Sequence, residues 1–143
     1  MKLFFTSDHA GLILRQSLLE HATSLGHEVI DLGPQSGQSV DYPDFANALA
    51  GALADSPDAR GVAVCGSGIG ISIALNRHRH VRAALVNDVT SASLTRRHND
   101  ANVVAFGERL IGIEPAKDAL AAFLDTEFEG GRHERRVAKL SPR

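Results

Sequence analysis

Short apolar runs alternate with amphipathic stretches from one end of this 143-residue chain to the other. That alternation narrows the fold more than any other feature. Lys2–Ser7 reads as a strand that ends in Asp8-His9-Ala10-Gly11. Leu12–Ser24 sets Leu12, Ile13, Leu18, Leu19 and Ala22 near helical spacing, and Gly26 marks its stop. Residues 28–32 form a second strand, followed by a Gly-, Ser- and Pro-rich loop. Residues 42–54 form a helix with Pro43 in its first turn, where a missing N–H costs nothing. Residues 61–65 are small or apolar throughout, the mark of a strand buried on both faces. The same reading gives a helix at 70–77, a strand at 82–86, a helix at 88–97, a strand at 102–106 and a helix at 115–124. Strands and helices alternating at this spacing imply a single α/β domain over residues 1–143, a five-stranded parallel sheet between two helical layers. Right-handed crossovers and a flavodoxin-like order, 2-1-3-4-5, follow as the expected topology, with the ligand crevice between strands 1 and 3.

Composition removes whole classes of function. No apolar run approaches the roughly 20 residues of a membrane helix. An acid at position 8 comes too early for a secretory signal, so a cytoplasmic protein is expected. The lone cysteine, Cys65, excludes a disulfide framework and a Cys-rich zinc site. The seven histidines show no H-x-x-x-H or H-E-x-x-H spacing, so no metal is expected. Net charge is −2, with one Tyr and no Trp, which disfavours nucleic acid as a partner. That charge is unevenly spread. Residues 1–131 carry 10 basic and 16 acidic side chains, whereas residues 132–143 carry five basic side chains against Glu134 alone. An acidic body with a basic tail from about residue 129 calls for an anionic partner or a docking surface.

The densest chemistry lies in Val62–Ile71, where an apolar strand enters Cys65-Gly66-Ser67-Gly68-Ile69-Gly70 and opens a helix. A glycine loop at a helix N-terminus lets backbone N–H groups face an anion, although a plain tight turn has the same look. A dinucleotide site fits less well, because the loop follows strand 3 and its third glycine comes one residue early. Cys65 ends a strand just before a helix N-terminus, a place that favours thiolate and so a nucleophile or base, if it is not simply a small buried hydrophobe. Ser67 adds a hydroxyl. Asp8 and His9 follow strand 1 and belong beside Cys65, unless they only cap a helix.

His98-Asn99-Asp100 closes the fourth helix, as a C-cap with Asn in the left-handed position or as part of a site. That helix runs antiparallel to the strands, so its end lies at the sheet edge away from Cys65. A five-residue strand spans roughly 17 Å. If both Cys65 and His98 are catalytic, two chains must share the site. In the tail, Arg132 and Arg136 are one helical turn apart and could present two guanidinium forks together. The run Arg77-His78-Arg79-His80-Val81-Arg82 reads as solvated surface.

Taken in order, Asp8-His9-Ala10-Gly11, Cys65-Gly66-Ser67-Gly68-Ile69-Gly70, His98-Asn99-Asp100-Ala101-Asn102-Val103, Gly107-Glu108-Arg109 and Gly130-Gly131-Arg132-His133 with Arg136-Val137 resemble the type B ribose-5-phosphate isomerases, a family that includes galactose- and allose-6-phosphate isomerases. The resemblance spans about residues 1–138. It implies a Rossmann-like α/β/α sandwich, dimeric or tetrameric, whose site is shared between subunits. It implies interconversion of an aldose phosphate and a ketose phosphate through an enediolate, with no cofactor and no metal. By position, Cys65 is the base, Ser67 and the backbone from Gly66 through Gly68 and Ile69 to Gly70 hold the enediolate oxygens, and His98 opens the furanose ring. Asp8, His9 and Asn99 match sugar-binding positions, and Arg109, Arg132 and Arg136 the phosphate-binding set. Ile71 stands where some relatives carry a Glu base, Ser67 where Thr is common, and Thr90 where many have Tyr, which bears on sugar length. The expected substrate is ribose 5-phosphate. A six-carbon sugar phosphate is the alternative, and a non-catalytic phosphosugar- or nucleotide-binding module a more distant one.

Overall fold

A computed structural model describes residues 1–140; Arg143, one of the tail cations, lies outside them. The strands are β1 (Lys2–Ser7), β2 (Glu28–Asp31), β3 (Arg60–Cys65), β4 (Ala83–Leu85) and β5 (Val103–Gly107). The helices are α1 (Leu12–Ser24), α2 (Tyr42–Asp55), α3 (Ile69–Leu75), α4 (Val89–Asn99), α5 (Ile113–Asp125) and α6 (Arg132–Ala138), with a short 3-10 turn at His9–Gly11. None of the described helices is long and apolar enough to cross a membrane.

All four strand pairings are parallel, and the order is β2-β1-β3-β5-β4. The expected order is therefore corrected at one edge, where β4 and β5 exchange places. Burial gives the reason. β5 (VVAFG) is buried along its whole length and can stand inside the sheet, whereas β4 has three residues, all half-buried, and suits an edge. The switch point between β1 and β3 is unaffected.

Alternation along the strands sorts the core into two layers. Phe5, Val62, Val64, Val104 and Phe106 pack with α1, α4 and α5, and Phe4, Ala63, Cys65, Val103 and Ala105 with α2 and α3. One helix start is capped from far along the chain and another by its own N-cap residue. The Glu108 carboxylate accepts the Leu14 N–H at the start of α1 (3.0 Å), and Asp88 accepts the Ser91 N–H at the start of α4 (2.7 Å).

The tail, for which a docking surface was expected, packs on α4 of its own chain. It carries no periodic apolar face, yet it forms α6. A docking strap explains this. The Glu129 N–H donates to the Arg97 carbonyl (3.1 Å), and the Arg97 Nε–H donates to the Glu129 carboxylate (2.6 Å). The connector before α6 is thus pinned to the last turn of α4, and one side chain of α6, His133, is buried.

Candidate active site

A cleft of about 500 Å³ opens beyond the C-terminal ends of β1 and β3. It is lined by Asp8, His9, Cys65, Gly66, Ser67, Ile69, Gly70 and Arg109, so the structure brings together eight of the site residues expected from sequence. Cys65 is 4% exposed, and its Sγ accepts the Gly68 N–H at 3.1 Å. A backbone donor at the head of α3 therefore faces the sulfur. Ser67 Oγ accepts the Ile69 N–H (3.2 Å), which fixes the hydroxyl beside the loop.

Two close approaches demand glycine. Gly68 has φ +75°, and a Cβ there would lie 2.5 Å from Leu85 Cδ1 and 2.8 Å from the Phe106 carbonyl carbon. A Cβ on Gly107 would lie 2.5 Å from the Ser67 carbonyl oxygen, so β5 passes directly beneath the loop. The next two residues knit the loop to β5, with the Glu108 N–H donating to Cys65 O and the Arg109 N–H to Gly66 O, both at 3.0 Å. This carries the Arg109 guanidinium to the face of Gly66. The Gly107-Glu108-Arg109 block thus combines a close approach, a cap for α1 and a cation at the cleft.

Asp8 is buried and its carboxylate accepts the Ala10 N–H (2.9 Å), so it does cap the turn while lining the cleft. His9 is exposed, and its Nδ1 faces the backbone of Val40, 3.1 Å from the N–H and 3.2 Å from the carbonyl oxygen, which ties the ring to the loop before α2. Tyr42 and Leu110 also line the cleft and were not singled out from sequence. Tyr42 read only as a helix start, and its ring is placed by Gly70, where a Cβ would come within 2.7 Å of it.

Gly68 belongs to the same loop, and the four other expected residues stand at the opposite edge of the sheet. Cys65 pairs with Gly107, whereas Gly61 pairs with Val103 and donates its N–H to the Asn102 carbonyl at the end of the α4–β5 turn. Four strand residues separate those levels, about 13 Å along the sheet. His98 and Asn99 end α4 at this far edge, and Arg132 and Arg136 lie exposed on α6, which packs against α4. The left-handed residue of the cap is Asp100 (φ 46°), not Asn99 as the sequence suggests. Asp100 also pairs with Arg96 (2.9 Å) and Arg82 (3.0 Å), so Arg82 is a structural clamp on this turn and departs from the solvated surface expected of its run.

At this far edge the His98 and His133 rings stack, with centroids 4.4 Å apart and planes 13° from parallel. His133 Nε2 lies 3.5 Å from the Glu129 carboxylate. Burial first, then His98 and Arg132, hold the His133 pKa below its ordinary value, and the Arg97 hydrogen bond holds that of Glu129 down. Ligand atoms of His98, Glu129 and His133 lie within 4.8 Å of one another, a grouping that could hold a metal ion and that no local spacing reveals. Glu129 is already engaged by Arg97, and Arg132 and Arg136 both act on His133, so the field here suits an anion better than a cation.

Residues 3–140 match the model of the ribose/galactose isomerase family. The chain is 43% identical over 140 residues to ribose-5-phosphate isomerase B of Escherichia coli K12, covering 98% of this chain and 94% of that protein. It superposes on ribose-5-phosphate isomerase B of Clostridium thermocellum with a TM-score of 0.96 at 43% identity, covering 99% and 95% of the two chains. The enzyme from Mycoplasma genitalium, solved with ribulose-5-phosphate bound, matches with a TM-score of 0.94 at 38% identity over 97% and 93% of the two chains. With a glycine-loop thiol at one sheet edge, a histidine and arginine cluster at the other, and relatives alike over nearly their whole length, this chain belongs to the ribose/galactose isomerase family.

Proposed function

We propose that this protein interconverts D-ribose 5-phosphate and D-ribulose 5-phosphate in a site assembled from two copies of the chain. The observation that carries this reading is the separation of Cys65 from His98 by the length of the sheet. Each edge holds half of what an aldose–ketose isomerase needs. Exposed apolar side chains beside the cleft, Ile69 (49%), Ile73 (56%) and Leu110 (59%), support a second copy covering it. On this reading the basic tail from about residue 129 docks at that interface and brings Arg132 and Arg136 to the cleft of the other copy.

The chemistry follows from these groups. His98 of one copy gives a proton to the ring oxygen as the C1–O bond breaks, and the anomeric hydroxyl passes its proton through water back to His98, so C1 becomes an aldehyde and the acid is restored. Cys65 of the other copy, as thiolate, takes the C2 proton, and the electron pair forms the C1–C2 double bond of an enediolate. Ser67 and the N–H groups of the Gly66–Gly70 loop hold its oxygens, where negative charge develops. The thiol then returns the proton to C1, and the O2 proton passes to O1, leaving the ketone at C2. Every electron pair stays within the substrate, so this scheme calls for no redox cofactor. Asp8, His9 and Asn99 orient the hydroxyls. Arg109, with Arg132 and Arg136 of the second copy, takes the phosphate.

A kinetic panel of five- and six-carbon aldose phosphates tests the reading. The highest kcat/KM is expected for ribose 5-phosphate. A preference for a six-carbon sugar would move the assignment within the family, and binding of these sugars without turnover would overturn it.

A further inference from the structure

We infer that His133 is a positioning residue for the ring-opening acid, holding the His98 imidazole in one plane by stacking against it. The inference rests on the site reading above, which makes His98 the acid. His98 is the penultimate residue of α4, half-buried, at a helix end where side chains have room to turn. The contact that holds its imidazole is the near-parallel ring of His133, 4.4 Å away.

His133 itself is well anchored. It is 5% exposed, and it is the one buried residue of α6. Its backbone N–H donates to the Gly130 carbonyl (3.1 Å), and its ring faces Glu129, which Arg97 grips from α4. The strap from Arg97 through Glu129 to His133 therefore starts one residue before His98 and returns to it. The charged groups around the pair are Glu129 and Arg97 from the strap and Arg132 and Arg136 from α6. Burial and the neighbouring cations hold the His133 pKa below its ordinary value, and the anchored ring serves as a flat, rigid wall. Proton transfer to a ring oxygen is sensitive to donor placement, so fixing one ring by another acts on kcat rather than on substrate affinity.

The experiment uses the full-length protein with ribose 5-phosphate as substrate. His133→Ala should lower kcat by about tenfold or more and leave KM within about threefold. His133→Phe keeps a stacking ring without the nitrogens and should restore kcat to within about threefold of wild type. In a His98→Ala background, His133→Ala should cost less than about twofold further, because a residue acting through His98 has nothing left to act on. If His133→Ala does not fold, His133→Leu replaces it, since Leu fills the space without a ring, and Phe should still exceed Leu about tenfold. A rise in KM at constant kcat, equal losses in Phe and Ala, or additive losses in the His98→Ala background would each overturn the inference. Active wild type with unaffected His133 variants sinks this proposal alone. Wild type that isomerises no aldose phosphate sinks the site reading and this inference with it.

Discussion

Gly68 answers two demands at once, a left-handed turn and a passage between Leu85 and Phe106 too narrow for a Cβ. Its N–H is also the donor on Cys65 Sγ. Gly68→Ala should therefore cost stability and chemistry together. The left-handed conformation alone costs about 1–2 kcal/mol for a residue with a Cβ, before the clash is counted. Urea unfolding should show a loss of at least about 2 kcal/mol, accompanied by reduced turnover. Cys65→Ala is the cleaner chemical test, because Ala suits the small-residue layer around Ala63 and Ala105. Turnover should fall by at least about 10²-fold, the usual weight of a positioned base, while circular dichroism stays native. A Cys65→Ala protein with most of its activity would remove the thiol from the mechanism. At this scale the sequence was highly legible. Glycine loops, an isolated cysteine and Asp-His after a strand are local patterns with local causes. Tyr42 escaped because nothing adjacent in sequence marks it. Its place depends on Gly70, twenty-eight residues later, leaving room for its ring.

Elements whose cause is their own pattern were also legible, and α1 matches its expected bounds of Leu12–Ser24. α6 was not, because its order comes from outside. One buried side chain and the Arg97–Glu129 clamp hold it, and neither leaves an apolar stripe in sequence. Such a helix should be sensitive to pH in a stated direction. Folding holds the His133 pKa below its ordinary 6.5, chiefly through burial, so the undocked segment takes up a proton before the docked one does. The undocked state then binds more protons, and docking weakens as pH falls from about 6.5 toward the docked value. Glu129 adds a second loss below its ordinary 4.5, because protonation removes the acceptor that Arg97 grips. Amide exchange of residues 132–138, corrected for intrinsic rates, should show protection that is steady above neutrality and declines in those two steps. His133→Phe should abolish the first step and keep the second. Protection independent of pH between 7.5 and 5 would mean that His133 does not report on docking.

At the scale of the whole molecule, strand order and the separation of the two clusters had different fates. Order between β4 and β5 depends on which strand can bear burial on both faces, a comparison of a three-residue strand with a five-residue one that alternation does not weigh. The separation was legible, because a helix returning antiparallel to its strands must end at the far edge whichever neighbour those strands choose. That geometry makes a strong demand on the assembly. If each working site takes Cys65 from one copy and His98 from another, the two inactivating substitutions complement each other. Cys65→Ala and His98→Ala proteins mixed one to one and allowed to exchange as dimers give half heterodimers, each with one doubly defective and one intact site. About a quarter of wild-type activity should then return. Exchange is verified separately by mass-tagging one variant, so absence of recovery has a single meaning. With heterodimers demonstrated and no activity regained, Cys65 and His98 would have to act within one chain, which the 13 Å or so between their strand levels opposes. Recovery near a quarter would instead place the basic tail where its charge makes sense, with Arg132 and Arg136 turned from the surface of their own acidic body toward the phosphate bound by the other copy.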